Sequence, residues 1–196
     1  PPRYLGGYDG CFCLALIEVS VVALWPNPDT DMETPLTPLE LARRTRKLYP
    51  DREAVVDGEL RLTYRQFLER CDRWSAALQR LGVRPVDRVA CISPNTHAHL
   101  ESYYAVPQIG AVIVPINARY RANELAYVIE NGDIVTVVTT DAVADSVNFV
   151  ERLNTALPEL HRNKRPLALK VSAAPKLRNI VLLGESHAHG FVAESE

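Results

Sequence analysis

The 196-residue sequence is short of several things, and each shortage removes a class of function. No block of like charge is long enough to form a binding tail. With 22 basic residues against 24 acidic ones the net charge is −2, which argues against a nucleic-acid binder with a basic face. The four cysteines, Cys11, Cys13, Cys71 and Cys91, show neither zinc-site nor disulfide-framework spacing, so a reducing compartment is the default. The apolar stretch at 12–25 is broken by Glu18 and falls short of the ~20 residues a membrane span needs. Arg3 is the only positive charge ahead of it, and no small-residue cleavage site follows, so a signal peptide is a poor fit. Low-complexity tracts are missing too: the 14 prolines are scattered.

What is present suits one ordinary domain with a real core: 47% of residues are hydrophobic and 23% charged. Coherent patterning starts after Met32, the single methionine. Residues 1–31 are therefore expected to be a non-domain or spurious extension, and 32–196 one partial domain. Thr37, Pro38 and Glu40 predict a helix start with a capping box, and Tyr49-Pro50-Asp51 its end. Residues 54–64 read as a hairpin around Asp57-Gly58. Thr63 and Gln66 predict a second capping box, at Tyr64. After it Phe67, Cys71, Trp74, Leu78 and Leu81 share one helix face, and Gly82 ends that helix.

Strand and helix then alternate: a strand at 88–93, a helix at 96–109 ended or kinked by Pro107, and a strand at 111–115 closed by Pro115. A helix at 123–130, a strand at 134–139, a helix at 142–157 and a strand at 179–183 follow, with 161–175 a surface loop. Val143, Val147, Val150 and Leu153 should face inward. The pattern predicts an α/β fold with a mostly parallel sheet and helices on both faces.

Read in order, these segments resemble the adenylate-forming superfamily, and specifically the N-terminal portion of AMP-forming acyl-CoA synthetases. The resemblance rests on TPLTPLELARRTRKLYPDREAVV (34–56), LTYRQFLERCDRWSAALQRLGVRPVDRVACISPNT (62–96), ESYYAVPQIGAVIVPINARYRANELAYVIENGD (101–133) and PKLRNIVLLGE (175–185). The wording YYAVPQIGAVIVPINARY leans toward acyl-CoA synthetases over peptide-synthetase adenylation domains. There are three departures. Val86 stands where the family commonly has glycine, 161–175 is longer than the usual connection, and Gly132-Asp133 replaces a Ser-Gly-Ala-like step.

The resemblance implies a parent that turns a carboxylic acid, ATP and CoA into acyl-CoA, AMP and pyrophosphate, with Mg²⁺, on a fatty or other apolar acid. It also implies what this chain does not carry. The family's Ser/Thr/Gly-rich loop with its following lysine has no counterpart in the sequence. No catalytic, cofactor-binding or metal residue transfers, and the chain alone is expected to be an incomplete, inactive N-terminal subdomain that binds ATP, Mg²⁺ and CoA poorly. The residues that do match are scaffold: Thr63, Tyr64, Pro107, Gly110, Pro115 and Asn117. Exposed apolar surface and self-association are expected of such a piece. The cytoplasm and the peroxisome both suit the parent. A non-catalytic binding module derived from the subdomain is the alternative.

Rival sites weigh less. The pairs His97/His99 and His187/His189 have metal-ligand spacing, but the first lies in a helix, where i and i+2 diverge. Asp141 near a strand end suits a ribose-binding acid, but Pro94-Asn95-Thr96 supplies no Gly-rich turn. Tyr103, Tyr104, Tyr120 and Tyr127 are read as core and boundary aromatics, and Arg43, Arg44, Arg46 and Lys47 as a solvated helix face. Cys11 and Cys13 carry no expected redox role.

Overall fold

The computed structural model describes residues 37–143, 146–163 and 166–193; the expected extension 1–31, the stretch 12–25, Cys11, Cys13 and Met32 lie outside them. Helix α1 (Pro38–Leu48) starts as its sequence dictates, with Thr37 accepting from the Glu40 amide at 3.2 Å. Glu40 does not return the bond; its carboxylate pairs with Arg43 at 2.6 Å, so only half of the expected box forms. No α1 side chain is fully buried. The helix is held partly by Arg46 on Asp72, 2.8 Å away.

Strands β1 (Glu53–Asp57) and β2 (Leu60–Thr63) form the antiparallel hairpin, with Gly58 at φ 56° supplying the turn. Helix α2 (Tyr64–Arg80) opens on a complete capping box: Thr63 accepts from the Gln66 amide at 3.3 Å, and Gln66 from the Thr63 amide at 2.9 Å. Phe67, Cys71 and Leu78 are buried as the spacing requires, while Trp74 and Leu81 are half-buried. Gly82 at φ 82° ends the helix.

The main sheet has the order β4-β3-β5-β6-β7 and every pairing is parallel. Its strands are β3 (Arg88–Ile92), β4 (Val112–Pro115), β5 (Ile134–Thr140), β6 (Asn179–Leu183) and the unforeseen β7 (Val192–Ala193). Side chains alternate between two cores. Helices α2 and α3 (His97–Gln108) cover one face, around Val89, Cys91 and Val138. Helices α4 (Ala122–Asn131) and α5 (Phe149–Ala156) cover the other, around Ile92, Val137, Ile180 and Leu182. The expected architecture, parallel strands with helices on both faces, is what the chain adopts.

Two expectations need correction. The helix predicted over 142–157 begins only at Phe149, because Asn148 caps it by accepting from the Glu151 amide at 2.9 Å. Upstream, the Ser146 and Val147 amides both turn onto the Val143 carbonyl. Val143, Val147 and Val150 still pack against the core, and Leu153 is fully buried. The stretch 161–175 is not merely a surface loop. A 3₁₀ turn (Pro158–Arg162) leads into it, and its apolar residues Leu169, Val171 and Ala174 are buried in the larger core.

Candidate functional site

In a parallel sheet the ligand crevice lies beyond the carboxyl ends of the strands, where neighbouring crossovers run in opposite directions. Here β3 connects outward to β4 and β5 outward to β6, so that point lies between β3 and β5. Ser93 to Thr96 leave β3 there and lead into α3, whose N-terminus would hold an anion.

The chain supplies its own anion. Asp57, at the end of β1, accepts from the His97 amide at 2.9 Å and from His97 Nδ1 at 2.7 Å. The backbone bond and then the ring bond hold its carboxyl below the ordinary 3.8. The next amide shown, that of His99, is capped by Thr96 at 3.3 Å. An incoming phosphate would meet a carboxylate already seated, so these residues do not fit a nucleotide phosphate. Nor do the described residues contain a group of three or more His, Cys, Asp or Glu placed to hold a metal ion.

Beside this lock lies a cleft of about 640 Å³ between α1, the hairpin and α3, walled by Leu39, Val55, Leu100, Tyr103 and Tyr104. Tyr104 packs edge-on to Phe67, centroids 5.3 Å apart. His99 and Asp57 are its titratable polar groups besides His97 and the tyrosines. His99 Nδ1 is 2.9 Å from Ser93 Oγ, while Ser93 donates to the Pro94 carbonyl at 3.0 Å. The same ring nitrogen is 3.4 Å from Cys91 Sγ, so Ser93, His99 and Cys91 form one small polar cluster at the end of β3. Burial lowers the His99 pKa and raises those of Tyr103 and Tyr104.

The scaffold residues do not converge on one site. Thr63 caps α2, and Tyr64 opens it, its amide donating to the Arg52 carbonyl at 3.0 Å. Pro107 lies in the last turn of α3 and lines the cleft. Gly110 takes φ 76° between α3 and β4, Pro115 closes β4, and Asn117 Oδ1 accepts from the Arg119 amide at 2.9 Å. His97 and His99 turn to different partners, Asp57 and Ser93, as the helical spacing requires; His187 and His189 are exposed. Asp141 accepts from the Ser186 amide at 2.7 Å, and a Cβ on Gly184 would come within 1.7 Å of its Oδ1, so it clamps the turn after β6. The aromatic reading divides: Tyr120 packs on the core, Tyr103 and Tyr104 line the cleft, and Tyr127 is 67% exposed. Arg44 and Lys47 are solvated as expected, and Arg43 and Arg46 are ion-paired.

The sequence reading passed over two groups. Asp57 read only as a turn residue, and nothing local to it announces a partner 40 residues away. Glu101 is fully buried on the inner face of α3 and pairs with Arg70 of α2. Its signal was a carboxylate sharing a helix face with Ala105. The buried thiols Cys71 and Cys91 are free; desolvation lifts Cys71 to about 12 and raises Cys91, so neither is a nucleophile near neutrality.

Comparison with known proteins agrees with this architecture. YngI of Bacillus subtilis, which carries the name of an acyl-CoA synthetase, is 33% identical over 152 residues, 76% of this chain and 27% of that protein. The 4-hydroxybutyrate–CoA ligase 2 of Metallosphaera sedula is 36% identical over 121 residues, 62% of this chain and 22% of that one. Among solved structures, one from Rhodopseudomonas palustris CGA009, solved under the name of a long-chain-fatty-acid CoA ligase, superposes with a TM-score of 0.65 at 28% identity. It covers 81% of this chain and 35% of that one. The chain thus spans only about a quarter of the length of the curated relatives it matches. The family model described as AMP-binding enzyme matches residues 42–188, most of the sequence, and the chain belongs to that family.

Proposed function

We propose that this chain is the N-terminal portion of an ATP-dependent acyl-CoA synthetase acting on a fatty or other apolar carboxylic acid, and that by itself it forms no acyl-adenylate. The names of its relatives support the ligase reading: 4-hydroxybutyrate, benzoate and butyrate CoA ligases are among them. Three Arabidopsis relatives are named as peroxisomal, which supports a peroxisomal parent alongside a cytoplasmic one. No described helix is long and apolar enough to cross a membrane.

One observation carries the inactivity: at the sheet's crossover point the helix N-terminus is filled by the Asp57 carboxylate. Adenylation needs donors and cations around a polyphosphate. In this account ATP, Mg²⁺ and CoA are held by parts of the parent outside this sequence, and Thr63, Tyr64, Pro107, Gly110, Pro115 and Asn117 shape the platform. Residues 32–196 then act as a partial domain, with 1–31 an appendage to it. The test is pyrophosphate exchange by the purified chain with a panel of carboxylic acids. The expected result is no exchange above the acid-free control; clear ATP- and acid-dependent exchange refutes the proposal.

A further inference from the structure

At the carboxyl end of β3 three polar side chains crowd together beside the first turn of α3. His99 Nδ1 lies 2.9 Å from Ser93 Oγ and 3.4 Å from Cys91 Sγ, and the sulfur lies 3.9 Å from the hydroxyl oxygen. Cys91 and Ser93 are two residues apart where the strand runs out, so they share a face. Thr96 caps the His99 amide at 3.3 Å and so fixes where His99 enters the helix. The ring is held as well: Tyr103, one turn on, packs tilted against it with centroids 5.3 Å apart, and Ser102 Oγ donates to the His99 carbonyl at 2.6 Å.

Hydrogen bonding alone serves this cluster badly. Nδ1 carries either one proton or one lone pair, so it satisfies Ser93 or Cys91 but not both. A cation satisfies all three atoms at once. Ligands about 2.0–2.3 Å from a tetrahedral zinc ion stand roughly 3.3–3.8 Å from one another, and the three separations here bracket that span. Ser93 Oγ donates to the Pro94 carbonyl at 3.0 Å, an arrangement that leaves its lone pairs for an ion. Cys91 is 2% and Ser93 7% exposed, whereas His99 lines the cleft, so an ion reaches the cluster past the imidazole.

We propose that Cys91, His99 and Ser93 form a zinc site, with the sulfur and Nδ1 as strong ligands, the hydroxyl oxygen as a weaker third, and the fourth position taken by water or a ligand from the cleft. The thiol gives its proton to solvent as the zinc–sulfur bond forms, and the imidazole keeps its own on Nε2. Sulfur and imidazole nitrogen select zinc over magnesium, which prefers oxygen. Two strong ligands are half of what a closed structural site has, so the ion is exchangeable and not a condition of folding. Bound there, it fastens the start of α3 to the end of β3. The inference stands whether or not the parent is a ligase.

The test uses the intact chain with Cys11→Ser and Cys13→Ser, which removes the closely spaced pair of thiols outside the described residues. Cobalt is the probe, because a thiolate ligand gives it a charge-transfer absorption band. The expected band saturates at one ion per chain, is abolished by zinc and survives a large excess of magnesium. Cys91→Ala removes it, and His99→Gln weakens cobalt binding roughly tenfold or more. His187→Gln with His189→Gln leaves it unchanged. If Cys91→Ala loses its cooperative melt, Cys91→Ser, which keeps the size and a hydrogen-bonding group, replaces it and also removes the band. No saturable band, a band that survives the Cys91 variants, binding unaffected by His99→Gln, or a band lost with His187 and His189 overturns the proposal.

Discussion

Val86 carries backbone strain that its side chain cannot relieve. It sits at φ 64° in the turn before β3, its amide donating to the Gly110 carbonyl at 2.7 Å, while its side chain is 66% exposed. A β-branched residue in left-handed geometry clashes with its own backbone and gains nothing here from burial. Val86→Gly should raise stability by about 1 kcal/mol, the relieved strain being larger than the added chain entropy. A urea midpoint that stays or falls would contradict this. The sequence pointed to the position, since glycine is the family's residue there, but the sign of φ is a property of the folded turn. Asp57 shows the opposite case, a residue whose local signal hid its role. Its carboxyl lies below the ordinary 3.8, so its stabilisation is present in full above that value and is lost as pH falls through the folded pKa. Asp57→Asn should therefore lower stability most at neutral pH and least at the acid end, so that the variant and parent curves converge as pH falls, read from urea melts between about pH 3 and 7.

Among the elements, α2 is the organising piece, joined to the hairpin at one end and to α3 along its length. Its capping box was legible because both partners lie within one turn of sequence. Thr63→Ala should cost about 1 kcal/mol, with Thr63→Ser retaining most of it. The α2–α3 contact is less local. Arg70 reaches a fully buried Glu101, and Ser75 Oγ donates to the Ala105 carbonyl at 2.9 Å. Removing one partner leaves a buried charge uncompensated, so Arg70→Ala should destabilise by about 3 kcal/mol in a denaturant melt. A loss below roughly 1 kcal/mol would mean that water replaces the guanidinium. Element ends explain most misreadings. The valines before α5 have helical spacing, yet they pack inward from a turn, because Asn148 is the better cap. The run at 161–175 is rich in turn residues, and only the assembled core reveals that Leu169 and Val171 fill it. Strand β7, two residues long, is too short for any period to announce.

At the scale of the whole molecule, four aspartates tie separate elements together and are held below their ordinary pKa. Asp57 joins the hairpin to α3. Asp72 joins α1 and α3 to α2: burial raises it, but Gln108 at 2.6 Å and Arg46 at 2.8 Å outweigh burial. Asp133 is lowered by Lys176, and Asp141 by Ser186. All four favour folding above the ordinary 3.8, so the chain should lose stability together as pH drops below about 4. Circular dichroism should show acid unfolding well before any alkaline transition below pH 9. Strand order was not legible from periodicity, which gives alternation but not which side of β3 each crossover takes; the family resemblance supplied the architecture. At the crossover between β3 and β5 the N-terminus of α3 is already occupied by the Asp57 carboxylate. Calorimetric titration of the purified chain with Mg-ATP tests it most directly. No saturable binding is expected up to millimolar nucleotide; a stoichiometric complex with micromolar affinity would mean that these residues grip the nucleotide unaided.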